Sequence, residues 1–340
     1  MGMRVLYYLN ASDLRKVPEE ARWAESMGYD GLCSQESGHD PFFPLLLAAT
    51  ATSRVTLESR VAIAFPRSPM VVAYSAMDLQ EFSGGRFRLG LGTQVKGHIE
   101  RRFSVKWESP GPKLREYVQS LHAIWDNWQE GKKLDFQGRF YTFTLMTPFF
   151  SPGASAHPRP PVYVSAINPY NCRVAGEVCD GLALHPLTSP EYVRKIIVPN
   201  VAKGIAQGGR PRNAIKLSGA GFIITGPDKE AIAARKEAVK RQIAFYASTR
   251  TYSPVLETHG FQEVGQRLHE MSLAGQWAQM PGLISDELLN AFAVVGSYDE
   301  VASQVKERYG DLLDEVVFNM EAASPGDQRA LQRIIEELKS

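Results

Sequence analysis

Residues 55–93 read VTLESRVAIAFPRSPMVVAYSAMDLQEFSGGRFRLGLGT. Val55–Ala64 is a β-rich apolar run. Ser68 then offers an N-cap, with Pro69 at the first helical position, and the helical pattern ends at Gly84-Gly85. A second apolar run, Phe87–Gly92, follows. Neither run alternates strictly between polar and apolar residues. That is the pattern of strands covered on both faces, as in parallel sheets. A strand, a helix and a second strand of this kind form a βαβ unit.

The same unit recurs on both sides of this stretch. Upstream, Met3–Leu9 and Gly31–Gln35 read as strands, with "PEEARWAESMG" between them as a helix opened by Pro18 and stopped by Gly28. Downstream come Val162–Ile167, Gly181–His185, Lys216–Ile224 and Glu315–Met320. A helix with Asp228 near its cap follows the seventh of these runs. Strand–helix repeated around the chain predicts an α/β fold, a closed parallel (β/α)8 TIM barrel forming a single domain over residues 1–340. An open doubly wound sheet is disfavoured, because "GLGT" ends the fourth strand without the G-x-G-x-x-G spacing of a dinucleotide site. Two stretches break the alternation and read as insertions. Residues 131–161 contain "KLDFQGRFYTF", a hairpin around Gln137-Gly138, and then a proline-rich loop. Residues 252–293 read as helical.

Composition narrows the function classes. Net charge is +1, with 22% charged and 44% hydrophobic residues, so no global charge draws the chain to nucleic acid or an anionic membrane. The three cysteines, Cys33, Cys172 and Cys179, lack metal or redox spacing and suit a reducing compartment. No apolar run reaches the ~18 residues of a membrane span, and the first residues lack a secretory h-region. The expectation is a cytoplasmic protein acting on a small molecule.

In a barrel of this kind the chemistry gathers at the C-terminal ends of the strands. The second strand opens onto "SQESGHDPFF", which puts Glu36, His39 and Asp40 within five positions. A rim histidine can move a proton near neutral pH, with a neighbouring carboxylate tuning it. Asp40 is also a natural cap for a helix opening at Pro41. The third strand ends in "AFPRSP", the fourth in Gly92-Thr93-Gln94, the fifth in Ser165-Ala166-Ile167-Asn168 and the sixth at His185. Glycines let a backbone approach a flat ligand, and free amides at a helix start can hold a phosphate. Ordinary turn chemistry explains both motifs equally well. The seven histidines are scattered, with no H-E-x-x-H, so no metal centre is expected, and no G-x-S-x-G marks a serine hydrolase.

The segments "SQESGHDPF", "RVAIAFPRSPMVVAYSAMDLQEFSGGRFRLGLGTQVKGH" and "PPVYVSAINPYNCRVAGEVCDGLALHP" resemble the luciferase-like monooxygenase superfamily, as does the tail "VVGSYDEVASQVKERYGDLLDEVVFNME". The most specific signature is S-P-x-x-x-A…L…S-G-G-R-F-x-L-G-L-G-T. The chain looks most like the branch that uses the deazaflavin coenzyme F420; other members use FMN. This resemblance implies a (β/α)8 barrel with insertions, commonly a homodimer, with the cofactor ring in the barrel mouth. It implies cofactor contacts from Gly92, Thr93 and Gln94, a phosphate held at Ser165, Ala166 and Ile167, and a non-prolyl cis peptide near Arg60–Val61 against the ring. His39 matches the histidine near the hydride-transfer centre of deazaflavin-dependent dehydrogenases. Glu36 would tune it, and Phe42, Phe43, Phe65 and His185 would wall the substrate pocket. Two departures stand out. Gln94-Val95-Lys96 lacks the glutamate found there in sugar-phosphate dehydrogenases, and Phe42 stands where they place a tryptophan. The resemblance therefore implies hydride transfer between coenzyme F420 and a small organic substrate other than a sugar phosphate. An FMN-dependent monooxygenase fed by a separate reductase, or a non-catalytic flavin-binding protein, are the alternative readings.

Overall fold

The computed structural model describes residues 2–211 and 213–340. In chain order its strands are β1 (Arg4–Tyr8), β2 (Gly31–Ser34), β3 (Thr56–Ser59), β4 (Ala62–Ile63), β5 (Phe87–Gly92), β6 (Phe136–Gln137) and β7 (Thr142–Phe143). They continue as β8 (Val162–Ser165), β9 (Gly181–Ala183), β10 (Lys216–Ser218), β11 (Phe222–Ile224), β12 (Ala293–Val295) and β13 (Glu315–Val317). The main sheet runs β3-β2-β1-β13-β10-β9-β8-β5-β4, and β3 also pairs with β5, which closes the ring. With β3 and β4 as two halves of one stave, this is a closed eight-stranded parallel barrel surrounded by helices.

Two expected strands are broken, each for a visible reason. Val55–Ala64 divides at the Arg60–Val61 peptide bond, which is cis. Lys216–Ile224 divides at Gly219, whose φ of 135° only glycine adopts readily. Beyond that turn β11 leaves the barrel and pairs in parallel with β12. Near Gln137-Gly138, β6 and β7 form an antiparallel hairpin, with Phe136 opposite Phe143.

The helices that position the site are α1 (Val17–Met27), α2 (Phe42–Ala51) and α3 (Pro69–Phe82). Proline sits in the first turn of α1 and of α3, where its missing N–H costs nothing. Ser68 has the extended backbone of an N-cap but makes no side-chain cap bond, whereas Asp228 does, accepting from the Ala231 amide at 2.8 Å.

The strands alternate between two unlike environments. Val5, Leu57, Leu89 and Val316 are sealed in the core with helix residues such as Ala21, Leu45, Ala76 and Trp125. Their neighbours Arg4, Glu58, Arg88 and Glu315 form a chain of ion pairs. Glu315 accepts from Arg4 at 2.8 Å and from Arg88 at 2.7 Å; Glu58 accepts from Arg60 at 2.7 Å and lies 3.7 Å from Arg88. The Arg88 guanidinium also lies over the Tyr163 ring, 5.3 Å from its centroid. Buried charges persist only when paired in this way. The ladder carries three arginines against two glutamates and runs from Arg4 up to Arg60 beneath the barrel mouth.

Candidate active site

A cavity of about 440 Å³ opens at the C-terminal ends of the strands. Glu36 and Ser37 after β2, and Arg60, Val61 and Ile63 around the cis bond, form one part of its wall. The loop after β5 adds Gly92, Thr93 and Gln94, and the loop after β8 adds Ser165, Ala166 and Ile167. All eight residues singled out as cofactor contacts, Arg60 and Val61 included, therefore share one cavity. An adjoining pocket of about 390 Å³ shares Thr93, Gln94, Asn168 and Asn171 with it and extends to Trp107 and Tyr170.

The glycines after β5 have a structural duty that the sequence does not reveal. A Cβ on Gly90 would lie 1.9 Å from the Ser59 carbonyl oxygen, and one on Gly92 would lie 2.6 Å from Cγ2 of Val61. Both glycines let β5 pass close to the bulge between β3 and β4. "GLGT" is thus first of all a packing requirement of the barrel, although Gly92 also reaches the cavity wall.

Four backbone amides at this wall, those of Thr93, Gln94, Ala166 and Ile167, have no hydrogen-bond partner among the described residues. Ala166 and Ile167 are buried. Buried N–H groups are almost always satisfied, so the Ala166 and Ile167 amides in particular suit oxygen acceptors on a bound molecule. Gln94 holds a left-handed backbone, with φ 56°, and its own side chain accepts the Val95 amide at 3.0 Å. The following helix, Pro169–Val178, is capped by Asn168, which accepts from the Asn171 amide at 2.9 Å.

The cluster in "SQESGHDPFF" is rearranged relative to expectation. Glu36 does not pair with His39. Both of its oxygens accept from Arg67, at 2.9 and 2.7 Å, and Oε2 also accepts the Ile63 amide at 2.7 Å. Arg67 donates its other arm to Asp40 at 2.9 Å, while Asp40 Oδ1 accepts the Phe42 amide at 2.8 Å at the start of α2. The carboxylates therefore fasten the β2–α2 loop to the third stave. Burial alone would weaken the Arg67 charge, but Glu36 and then Asp40 outweigh it and strengthen its hold on the proton. His39 is exposed, makes no hydrogen bond among the described residues and does not line the cavity. The aromatic wall also lies elsewhere. Phe42 packs on the buried Phe87, Phe43 is exposed on α2, and Phe65 is buried edge-on against Trp107.

His185 does line the cavity. Its ring lies 4.5 Å from Tyr246 and 4.5 Å from Tyr252. Burial pushes its imidazole down to about 4, so it is neutral at physiological pH. Tyr246, Thr249, Thr251 and Tyr252, at the end of the helix Lys229–Ala247 and in the turn after it, complete the wall. These residues were not anticipated, because they sit on no strand end. The mixed aromatic and hydroxyl run "FYASTRTY" at 245–252 was the available signal.

Among the described residues no cluster of three or more histidine, cysteine or acidic side chains is placed to hold a metal ion. No helix among them is long and apolar enough to cross a membrane.

The family model for luciferase-like monooxygenases matches residues 4–315. The chain belongs to this family. This luciferase-like chain is 44% identical over 313 residues to an uncharacterized protein of Mycobacterium tuberculosis, covering 92% of each. It is 25% identical over 322 residues to a 5,10-methylenetetrahydromethanopterin reductase of Archaeoglobus fulgidus, covering 93% of this chain and 92% of the reductase. Its fold matches the solved coenzyme F420-dependent tetrahydromethanopterin reductase from Methanopyrus kandleri with a TM-score of 0.77 at 20% identity, covering 99% of this chain and 98% of the other. The luciferase-like barrel expected from the sequence is thus the fold observed.

Proposed function

We propose that the protein is an oxidoreductase that transfers a hydride between coenzyme F420 and a small organic substrate. The observation that carries this reading is the set of unpaired amides after β5 and β8, which belong to residues lining one cavity. A cofactor with ring carbonyls at one end and a phosphate further along supplies the acceptors these donors lack. Thr93 and Gln94, with Ala166 and Ile167, would hold it, and Val61 would support the ring. When bound, a deazaflavin exchanges hydride at carbon and reacts sluggishly with oxygen. A Mycobacterium tuberculosis relative named "putative coenzyme F420-dependent oxidoreductase", 25% identical over 325 residues, adds weight to the reading.

The chain's own part is to bind, orient and keep water out. The Glu36–Arg67–Asp40 bridge holds the β2–α2 loop at the edge of the mouth. His39 lies outside the cavity wall, so on this reading the proton or hydrogen bond at the substrate would come from a residue that does line it.

The same reading includes a homodimer. On α2 and α3 the outward side chains include Phe43, Leu46, Val71 and Phe82, which are 60, 40, 58 and 56% exposed. Such a cluster of large apolar side chains is what a second copy would cover.

Titration of the purified protein with oxidised F420 and with FMN tests the assignment. F420 should bind at least ten times more tightly, a gap of ~1.4 kcal/mol. Equal affinities, or oxygen consumption with reduced FMN, would favour the monooxygenase reading instead.

A further inference from the structure

His185 stands at the end of β9 with its two ring nitrogens in different settings. Nδ1 accepts the Leu187 backbone N–H at 3.1 Å. An accepting nitrogen on a neutral ring carries no proton, so the proton sits on Nε2. Nε2 has no partner among the described residues and is not fully buried, and the ring lines the cavity. Tyr246, edge-on, and Tyr252, tilted by 30°, hold the imidazole in place. Their phenol oxygens also lack partners among the described residues without being sealed.

Two of the charged groups that line the cavity are already committed, while Arg102 donates to the Ser37 carbonyl at 2.7 Å. Glu36 is taken up by Arg67 and the Ile63 amide, and Arg60 by Glu58 and Ser218. What remains on this side of the cavity is a set of aromatic rings and neutral N–H and O–H donors. Such a surface complements an uncharged ring compound bearing one oxygen acceptor.

Resting on the hydride-transfer reading above, we propose that His185 is a catalytic residue whose Nε2–H donates a hydrogen bond to the carbonyl oxygen of an aromatic or alicyclic ketone or aldehyde, or to the hydroxyl oxygen of the corresponding alcohol. In the reducing direction a reduced deazaflavin, held by the residues named above, would supply the hydride and its two electrons to the carbonyl carbon. The C=O π pair moves onto oxygen, where the Nε2–H bond strengthens as charge develops. A proton from water completes the alcohol, and the imidazole keeps its own proton. A neutral imidazole is suited to this role because it donates without surrendering its proton. Burial, which holds the ring uncharged, supports it.

Infrared spectroscopy of carbonyl-labelled acetophenone bound to the F420-loaded protein tests the assignment, with ethylbenzene as the oxygen-free probe. In the wild type the C=O stretch should shift to lower frequency, and acetophenone should bind roughly ten-fold more tightly than ethylbenzene. His185→Phe should abolish both effects while F420 affinity stays within a few-fold. His185→Gln, which keeps an N–H donor, should retain part of the shift. An unshifted stretch in the wild type, or an unchanged shift in a folded His185→Phe protein, would overturn the proposal. The same two probes can be used without cofactor. Failure to bind F420 while the carbonyl shift persists would overturn the cofactor reading and leave the His185 assignment standing.

Discussion

Val61 occupies the space that a side chain on Gly92 would need: its Cγ2 lies 2.6 Å from the position of a Cβ there, and its own Cβ lies 3.6 Å away. Gly92→Ala should therefore destabilise the fold by about 1–3 kcal/mol, the usual cost of overpacking a tight interior. Val61→Ala removes the offending methyls, so the double variant should recover much of that loss. Chemical denaturation of the four proteins forms a double-mutant cycle. Simple additivity would show that Gly92 is required for something other than room beside Val61.

Glu36 and Arg67 form the clasp between the β2–α2 loop and the third stave. Arg67→Ala leaves Glu36 largely buried with only the Ile63 amide for company. The expected cost is about 2–3 kcal/mol, below that of a fully buried pair because Arg67 is partly exposed. Limited proteolysis should find new cleavage near residues 37–41. By contrast, His39→Ala, at an exposed and unpaired position, should change stability by less than about 0.5 kcal/mol.

The ion ladder inside the barrel predicts an acid-sensitive fold. Burial tends to raise the Glu315 carboxyl, but Arg88 and then Arg4 outweigh it and hold it below its ordinary value of 4.5. A carboxyl lowered in the folded state contributes stability above its unfolded pKa, and that stability is lost as pH falls through the folded value. Stability should thus fall as pH drops below about 4.5. Glu315→Gln should be less stable at neutral pH, since Arg88 loses its charged partner, and its stability should depend less steeply on pH in that window. Urea midpoints measured between pH 3 and 7 would decide; parallel pH slopes for the two proteins would count against the ladder.

The exposed apolar face of α2 and α3 predicts self-association. Leu46→Glu puts a charge on that face at an exposed position. Analytical ultracentrifugation should show a dimer for the wild type and a monomer for the variant. A monomeric wild type would sink the homodimer proposal.

Several features were legible in the residues because they depend on local chemistry. The staves were visible as largely apolar runs punctuated by glycine and proline, since a parallel strand is covered on both faces and its helices need starts and stops, although Arg4, Glu58, Arg88 and Glu315 interrupt that pattern with paired charges. The helix beginning at Pro169 and its Asn168 cap could be read from "INPYN" for the same reason. The residues that meet around the cavity, Gly92 to Gln94 and Ser165 to Ile167, could be nominated because barrel topology fixes which strand ends converge.

Tertiary structure decided what each polar group does once it arrives there. Glu36 lies three positions from His39 in the chain, yet its partner is Arg67, 31 positions away. A carboxylate that loses water takes the strongest donor within reach, and a guanidinium with two arms free is a better partner than a solvated imidazole. Gly92 could be nominated for the ligand from its turn, but only the closeness of Ser59 to Gly90 and of Val61 to Gly92 reveals that both glycines also make room for the barrel itself. Tyr246 and Tyr252 sit on no strand end and reached the site only because the helix Lys229–Ala247 and the turn after it lie beside His185. Periodicity and turn chemistry act over a few residues and were written in the sequence. Pairing of desolvated charges and filling of shared space act between segments far apart in the chain, and only the closed barrel brought those segments together.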